Sequence, residues 1–151
     1  MHKQLKIING LVISFILLLA FSGTCQTSHA EEFVGFLEIR YPNQLVKTLL
    51  QGPYSSKKRC ENLNQTTLDN ALIACGSCNI ENNFCISERE VPEIYSKVLR
   101  KEKSAFPYII ATPKGRIIIS GIPMQSAIAE CRYIAEKFRS NGYGDARCVL
   151  P

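Results

Sequence analysis

Six cysteines, Cys60, Cys75, Cys78, Cys85, Cys131 and Cys148, constrain this 151-residue chain more than any other feature. How they are read depends on a seventh, Cys25, and on the segment that holds it. Residues 1–30 have the three parts of a secretory signal peptide. Lys3 and Lys6 make a positive start, and Leu11 to Phe21 is an apolar run broken only by Ser14. Ser28-His29-Ala30 then sets small residues before a cut ahead of Glu31. The apolar run is well short of the roughly 20 residues that span a bilayer. The expectation is therefore cleavage, with a single domain over residues 31–151 and no stable membrane span afterwards. A lipoprotein signal centred on Cys25 fits poorly, because Thr24 precedes it and Ser22 stands at the usual leucine position. Cleavage removes Cys25 and leaves an even number of cysteines in an exported chain, the expected mark of disulfides in a periplasmic or secreted protein.

Cleavage also removes His2 and His29, the only two histidines. A chain without histidine has no Ser-His-Asp or Cys-His catalysis, no histidine-ligated zinc and no histidine pH switch. Loss of two lysines leaves 16 Lys+Arg against 13 Asp+Glu, too mild a surplus to argue for a nucleic-acid partner.

The mature chain reads as two copies of one unit. Residues 33–41 alternate around Leu37, Ile39 and Tyr41, Pro42-Asn43 turns the chain, and Leu45 to Gln51 completes a hairpin. Gly52-Pro53-Tyr54-Ser55 leads into a helix with apolar positions Cys60, Leu63, Leu68, Leu72 and Cys75, stopped by Gly76. A short strand, Asn83 to Ser87, follows. The second half repeats this order: Pro107 to Thr112 and Arg116 to Ser120 flank Pro113-Lys114-Gly115, a hairpin signal. A helix then shows Ala127, Ile128, Cys131, Ile134, Ala135 and Phe138 on one face, and Asp145 to Leu150 forms the last strand. Pro42 and Pro113 are 71 residues apart, Gly52 and Gly121 are 69, and Cys60 and Cys131 are 71. Between the copies an inserted helix starts at a capping box, Ser87 and Glu90, with Val91, Ile94, Tyr95, Val98 and Leu99 as its apolar stripe. The expected fold class is α+β: an antiparallel sheet with helices packed on one face, built from a duplicated strand–strand–helix–strand unit.

Helix and strand rise suggest how the cysteines pair. A helix advances ~1.5 Å per residue and a strand ~3.3 Å, so a returning strand comes level in fewer residues. Cys131 lies about 15 Å back along its helix, within reach of Cys148. Cys60 lies about 23 Å back, where Cys85 returns to it and Cys78 comes too soon. The expected bridges are Cys60–Cys85, Cys131–Cys148 and Cys75–Cys78. The competing arrangement follows the repeat strictly and joins Cys60 to Cys78 and Cys75 to Cys85.

Three groups of residues invite a chemical reading. Cys75-Gly76-Ser77-Cys78 has the spacing of a redox dithiol, but a reactive pair sits at a helix N-terminus and this one falls at a C-terminus. The same residues match part of a papain-type signature, without its following aromatic or a histidine base. Glu88, Glu90 and Glu93 cluster where two of them could serve as a glycosidase-like acid/base pair, yet acidic residues favour a helix start for dipole reasons alone. Lys57-Lys58-Arg59 and Lys97, Arg100, Lys101 and Lys103 are solvated faces by default, with an anionic glycan or acidic partner as the functional alternative. No residue set points to a metal, a cofactor or a catalytic group.

Two stretches resemble half-repeats of the SPOR domain, a small exported peptidoglycan-binding module. Leu49-Leu50-Gln51-Gly52-Pro53-Tyr54-Ser55-Ser56 is similar to the family's strand end and helix start. Gly121 through Gly142-Tyr143 to Arg147-Cys148 is similar to a second copy. The departures are an extra leading strand per unit, the inserted helix, the cysteines, and Leu50 where a polar residue belongs. The resemblance implies a related fold and, less directly, glycan binding. The functional expectation is a non-catalytic binding domain for a protein partner or a peptidoglycan glycan, in an inhibitor, immunity-type or envelope-assembly role. The rival is an exported thiol–disulfide oxidoreductase using Cys75 and Cys78.

Overall fold

The structure, a computed structural model, describes Ala30–Pro151. The expected leader and Cys25 lie outside the described residues. Strands β1 (Phe33–Arg40) and β2 (Val46–Tyr54) form a hairpin, followed by helix α1 (Lys57–Ala74) and strand β3 (Asn79–Ser87). A single 3-10 turn (Glu88–Glu90) leads to the short helix α2 (Glu93–Leu99). Then come β4 (Tyr108–Ile110), β5 (Gly115–Ser120), helix α3 (Met124–Ser140) and β6 (Arg147–Val149). All six strands join one antiparallel sheet in the order β3-β1-β2-β5-β4-β6.

That order is a palindrome of the repeat: third, first and second strand of one unit meet second, first and third of the other. The two second strands pair at the centre, where Thr48 stands opposite Ile118. A shift of 70 residues carries Thr48 onto Ile118, so a local two-fold axis passes through this pair, normal to the sheet. Following the registers outwards, the same shift relates Glu38 to Tyr108. The α+β class and the antiparallel sheet read from the sequence are thus the fold observed, with the duplication expressed as local symmetry.

Alternation along the strands creates two buried faces. Leu45, Ile109 and Ile119 pack on Ala127, Cys131 and Ala135 of α3, the stripe read from its spacing. Helix α1 lies on the same face: a Cβ at Gly35 would stand 2.8 Å from Asn64 Oδ1 and 3.3 Å from Cys60 Sγ. The inserted helix differs from expectation and covers the opposite face. Val34, Phe36, Leu50, Tyr108, Ile110 and Ile118 point there and are closed over by Val91 and Val98, with the Tyr95 ring edge-on to Phe36. A sheet this apolar on both sides needs a second layer, and the segment joining the two units supplies it.

Local expectations were met unevenly. Helix α1 does not bury its leucines: Leu63 and Leu72 are exposed, and its buried residues are Cys60 and Asn64. The helix is turned so that Asn64 Nδ2 donates to Phe36 O (2.7 Å), Asn83 Oδ1 (2.6 Å) and Phe84 O (3.3 Å). The Ser87–Glu90 capping box is absent; Ser87 ends β3, makes no side-chain cap, and α2 begins only at Glu93. Strand β3 starts four residues earlier than expected and β2 runs on to Tyr54. Gly121 ends β5 at φ +78, where a Cβ would run into the Gln44 carbonyl, so only glycine serves there.

Candidate functional site

The six cysteines stand in three pairs at disulfide distance. Cys60 and Cys85 have Cα atoms 6.2 Å apart, Cys131 and Cys148 5.6 Å, and Cys75 and Cys78 5.6 Å. The first two join each long helix to the strand after it, and the buried Cys60 and Cys131 anchor them in the core. Cys75 is the C-cap of α1, its N–H donating to Ala71 O, and Cys78 N–H donates to Cys75 O. Both sulfurs therefore sit at the negative end of the helix dipole, which disfavours a thiolate.

The other sequence candidates are not drawn together into a site. Glu93 pairs with Arg100 (3.0 Å), and Glu102 takes a second guanidinium edge of the same arginine (2.8 Å). The hydrogen bond from Arg100 holds the Glu102 carboxyl below the usual range. Glu88 lies apart from that cluster, raised by burial and by Glu32. Lys57, Lys58 and Arg59 are exposed on the first turn of α1, capped by Ser56, whose Oγ accepts from the Arg59 N–H. Among the described residues no cluster of His, Cys, Asp or Glu is arranged to hold a metal, and no helix is long and apolar enough to cross a membrane.

The site with the most defined chemistry is one that sequence reasoning missed. A cleft of about 510 Å³ lies over the central strands, between α1 and the C-terminal end of α3. Gln51 and Ile117 contribute to its lining from the sheet, Thr67 and Asn70 from α1, and Phe138 and Tyr143 from the end of α3 and beyond. Its polar groups are already oriented: Gln51 Nε2 donates to Thr67 Oγ1 at 2.7 Å, and Thr67 donates in turn to Leu63 O at 2.9 Å. Phe138 and Tyr143 pack edge to face at 5.5 Å, leaving Tyr143 half exposed. Lys114 lies over the Tyr54 ring at 5.3 Å and donates to Pro53 O, while burial raises the Tyr54 hydroxyl pKa.

At the same end, Arg116 is buried beneath the β4–β5 hairpin. Its Nη1 donates to Thr112 O (2.8 Å) and Gly115 O (3.0 Å), and burial lowers its pKa. The Nη1 and Nη2 bonds to carbonyls hold the hairpin that closes the cleft, while the buried Nε has no partner among the described residues. Lys114 and Arg116 line the cleft as well, so it combines two cationic side chains with amides, hydroxyls and aromatic rings, and no Asp, Glu, His or Cys is among its lining residues. The signal in the sequence was slight: Gly52-Pro53-Tyr54 read as a helix lead-in, Phe138 as one more core position, and Tyr143 only as part of the second SPOR-like stretch.

No protein-family model matches the chain, and neither a curated protein nor a solved structure matches it. The chain is therefore described by its own features: a duplicated α+β domain with three close cysteine pairs and a cleft lined by aromatic, amide, hydroxyl and cationic side chains.

Proposed function

We propose that this chain is an exported, non-catalytic binding domain, periplasmic or secreted, whose cleft takes a cell-wall glycan. The observation that carries the reading is the cleft lining. Aromatic rings at Phe138 and the half-exposed Tyr143 beside the amides and hydroxyls of Gln51, Thr67 and Asn70 match a sugar's apolar ring faces and its hydroxyl and acetamido groups. Support comes also from the signal-like leader, from the cysteine pairs expected of an exported domain, and from the SPOR-like stretches. Of those stretches, Tyr54 in the first and Tyr143 in the second both line the cleft. A protein partner is the competing occupant. The oxidoreductase reading is disfavoured by the place of Cys75 and Cys78 at a helix C-terminus.

Co-sedimentation with purified peptidoglycan tests the proposal, alongside co-purification from an envelope extract. Binding to peptidoglycan that weakens about tenfold in Tyr143→Ala, the loss of one aromatic face, is the expected result. Capture of an envelope protein with no retention on peptidoglycan replaces the glycan by a partner. Retention on neither overturns both.

A further inference from the structure

We propose that the sheet face covered by α2 carries a second binding site, for the primary ammonium head of a lysine-type side chain. The site is a cavity of about 160 Å³ at the β1–β3 edge of that face. A cavity of this size holds a benzene-sized guest. Its walls are aromatic: Phe36 and Phe84 stack at 5.2 Å, and Tyr95 stands edge-on to Phe36 at 5.2 Å. Its polar groups lie on the sheet surface around the Glu38 carboxyl. Glu38 lines it beside Thr48, whose Oγ1 donates to Glu38 Oε2 at 3.3 Å, with Asn82 next to them and Glu90 on the exposed side.

The local symmetry shows that this cavity is particular to one half. The counterpart of Glu38 is Tyr108, fully buried, whose ring fills the core and whose hydroxyl donates to Glu102 O at 2.8 Å. Where one unit has a closed core, the other has a carboxylate at an aromatic-walled opening.

Charge decides the class of guest. Glu38 faces Glu81 and Asn82 of β3 and Thr48 of β2, with Tyr95 of α2 and Glu90 of the 3-10 turn around the cavity; Arg40 is the nearby cation. Arg40 is committed to Glu81, donating from Nη2 to Oε2 at 2.9 Å and from Nε to Oε1. Among the described residues Glu38 makes no ion pair, and burial, then Glu81, raises its pKa. Aromatic faces attract a cation, and an ammonium donates charge-assisted hydrogen bonds to the carboxylate, stronger than the single bond a neutral hydroxyl of the same shape donates. Three N–H donors suit the Glu38 and Asn82 oxygens, whereas a quaternary head offers none. The apolar walls suit an unbranched methylene stem.

The test is an NMR titration of the purified protein with n-butylammonium, 1-butanol, n-butyltrimethylammonium and Nα-acetyl-lysine amide. Saturable shifts at Glu38, Phe84 and Tyr95 are expected with butylammonium and the lysine amide, and weaker ones with the other two. Glu38→Gln lowers the affinity about tenfold, as loss of one charge-assisted hydrogen bond does. Phe84→Ala, on an exposed edge, lowers it with the fold kept, which an unchanged amide spectrum verifies. Affinity falls with pH as Glu38 protonates, and Glu38→Gln loses that dependence. Equal binding of 1-butanol or of the quaternary ion, an affinity unchanged in Glu38→Gln, or no saturation overturns the site. Binding of butylammonium without the lysine amide overturns the lysine-type guest.

Discussion

Asn64 and Gly35 set how close α1 lies to the sheet. The amide of Asn64 reaches over β1 to carbonyls of both β1 and β3, and the missing side chain at Gly35 lets it in. Removing the amide strands buried acceptors, at a cost of about 1–3 kcal/mol. Adding a methyl at residue 35 forces the helix outwards at a cost of about 1–3 kcal/mol. Asn64→Ala and Gly35→Ala are each expected to shift the urea midpoint accordingly, and unchanged midpoints would refute this account of the contact. Glu38 gives the opposite sign. Its folded pKa is raised, so its contribution to stability is full at acid pH and is lost as pH rises through that value. Glu38→Gln should therefore melt higher than the native protein at neutral pH, the gap narrowing as pH falls towards the carboxylate range. A lower Tm at neutral pH would contradict it. These residues also mark where sequence reading ends: a buried asparagine in place of leucine breaks the apolar periodicity on which the inward face of α1 was assigned. Helix α3, whose small and apolar residues do recur at 3- and 4-residue steps, was legible in full.

At the scale of elements, the two long cysteine links do the same work at different heights. Cys60 lies in the first turn of α1 and faces a strand beside Gly35; Cys131 lies two turns into α3, opposite the sheet at Ile109. Their loops span 25 and 17 residues, and chain entropy assigns each about 3 kcal/mol. The four-residue loop at Cys75 and Cys78 contributes far less on the same model. Double alanine substitution of Cys60 and Cys85, or of Cys131 and Cys148, is expected to lower Tm markedly, and that of Cys75 and Cys78 only slightly. Non-reducing peptide mapping should recover the same three pairs; a Cys60–Cys78 peptide would contradict them. The succession of elements along the chain was legible because Pro and Gly punctuate both units at like intervals, whereas the strand order in the sheet was not read. The start of α2 was not, because the capping-box residues are used to end β3 in a 3-10 turn, which local sequence does not distinguish from a helix start. The cleft was illegible for a related reason. Its residues come from β2, α1, the β4–β5 hairpin and the end of α3, and only the folded sheet brings them together.

Over the whole molecule, the cores are shared between the units. The face under α2 takes Val34, Phe36 and Leu50 from the first and Tyr108, Ile110 and Ile118 from the second. Residues 31–90 and 91–151 expressed separately are each expected to give a poorly dispersed amide spectrum, and together to recover native dispersion. A well-dispersed spectrum from either half alone would show that the central β2–β5 seam is dispensable. That seam has a geometric consequence. Two identical units pairing their second strands about a true two-fold would build the same six-stranded sheet. In one chain the two are joined from β3 to β4 by residues 88–107. Equivalent positions in a single chain need not carry the same residue, so Tyr108 closes the core in one half where Glu38 stands in the other, a difference that a symmetric dimer of identical chains does not allow.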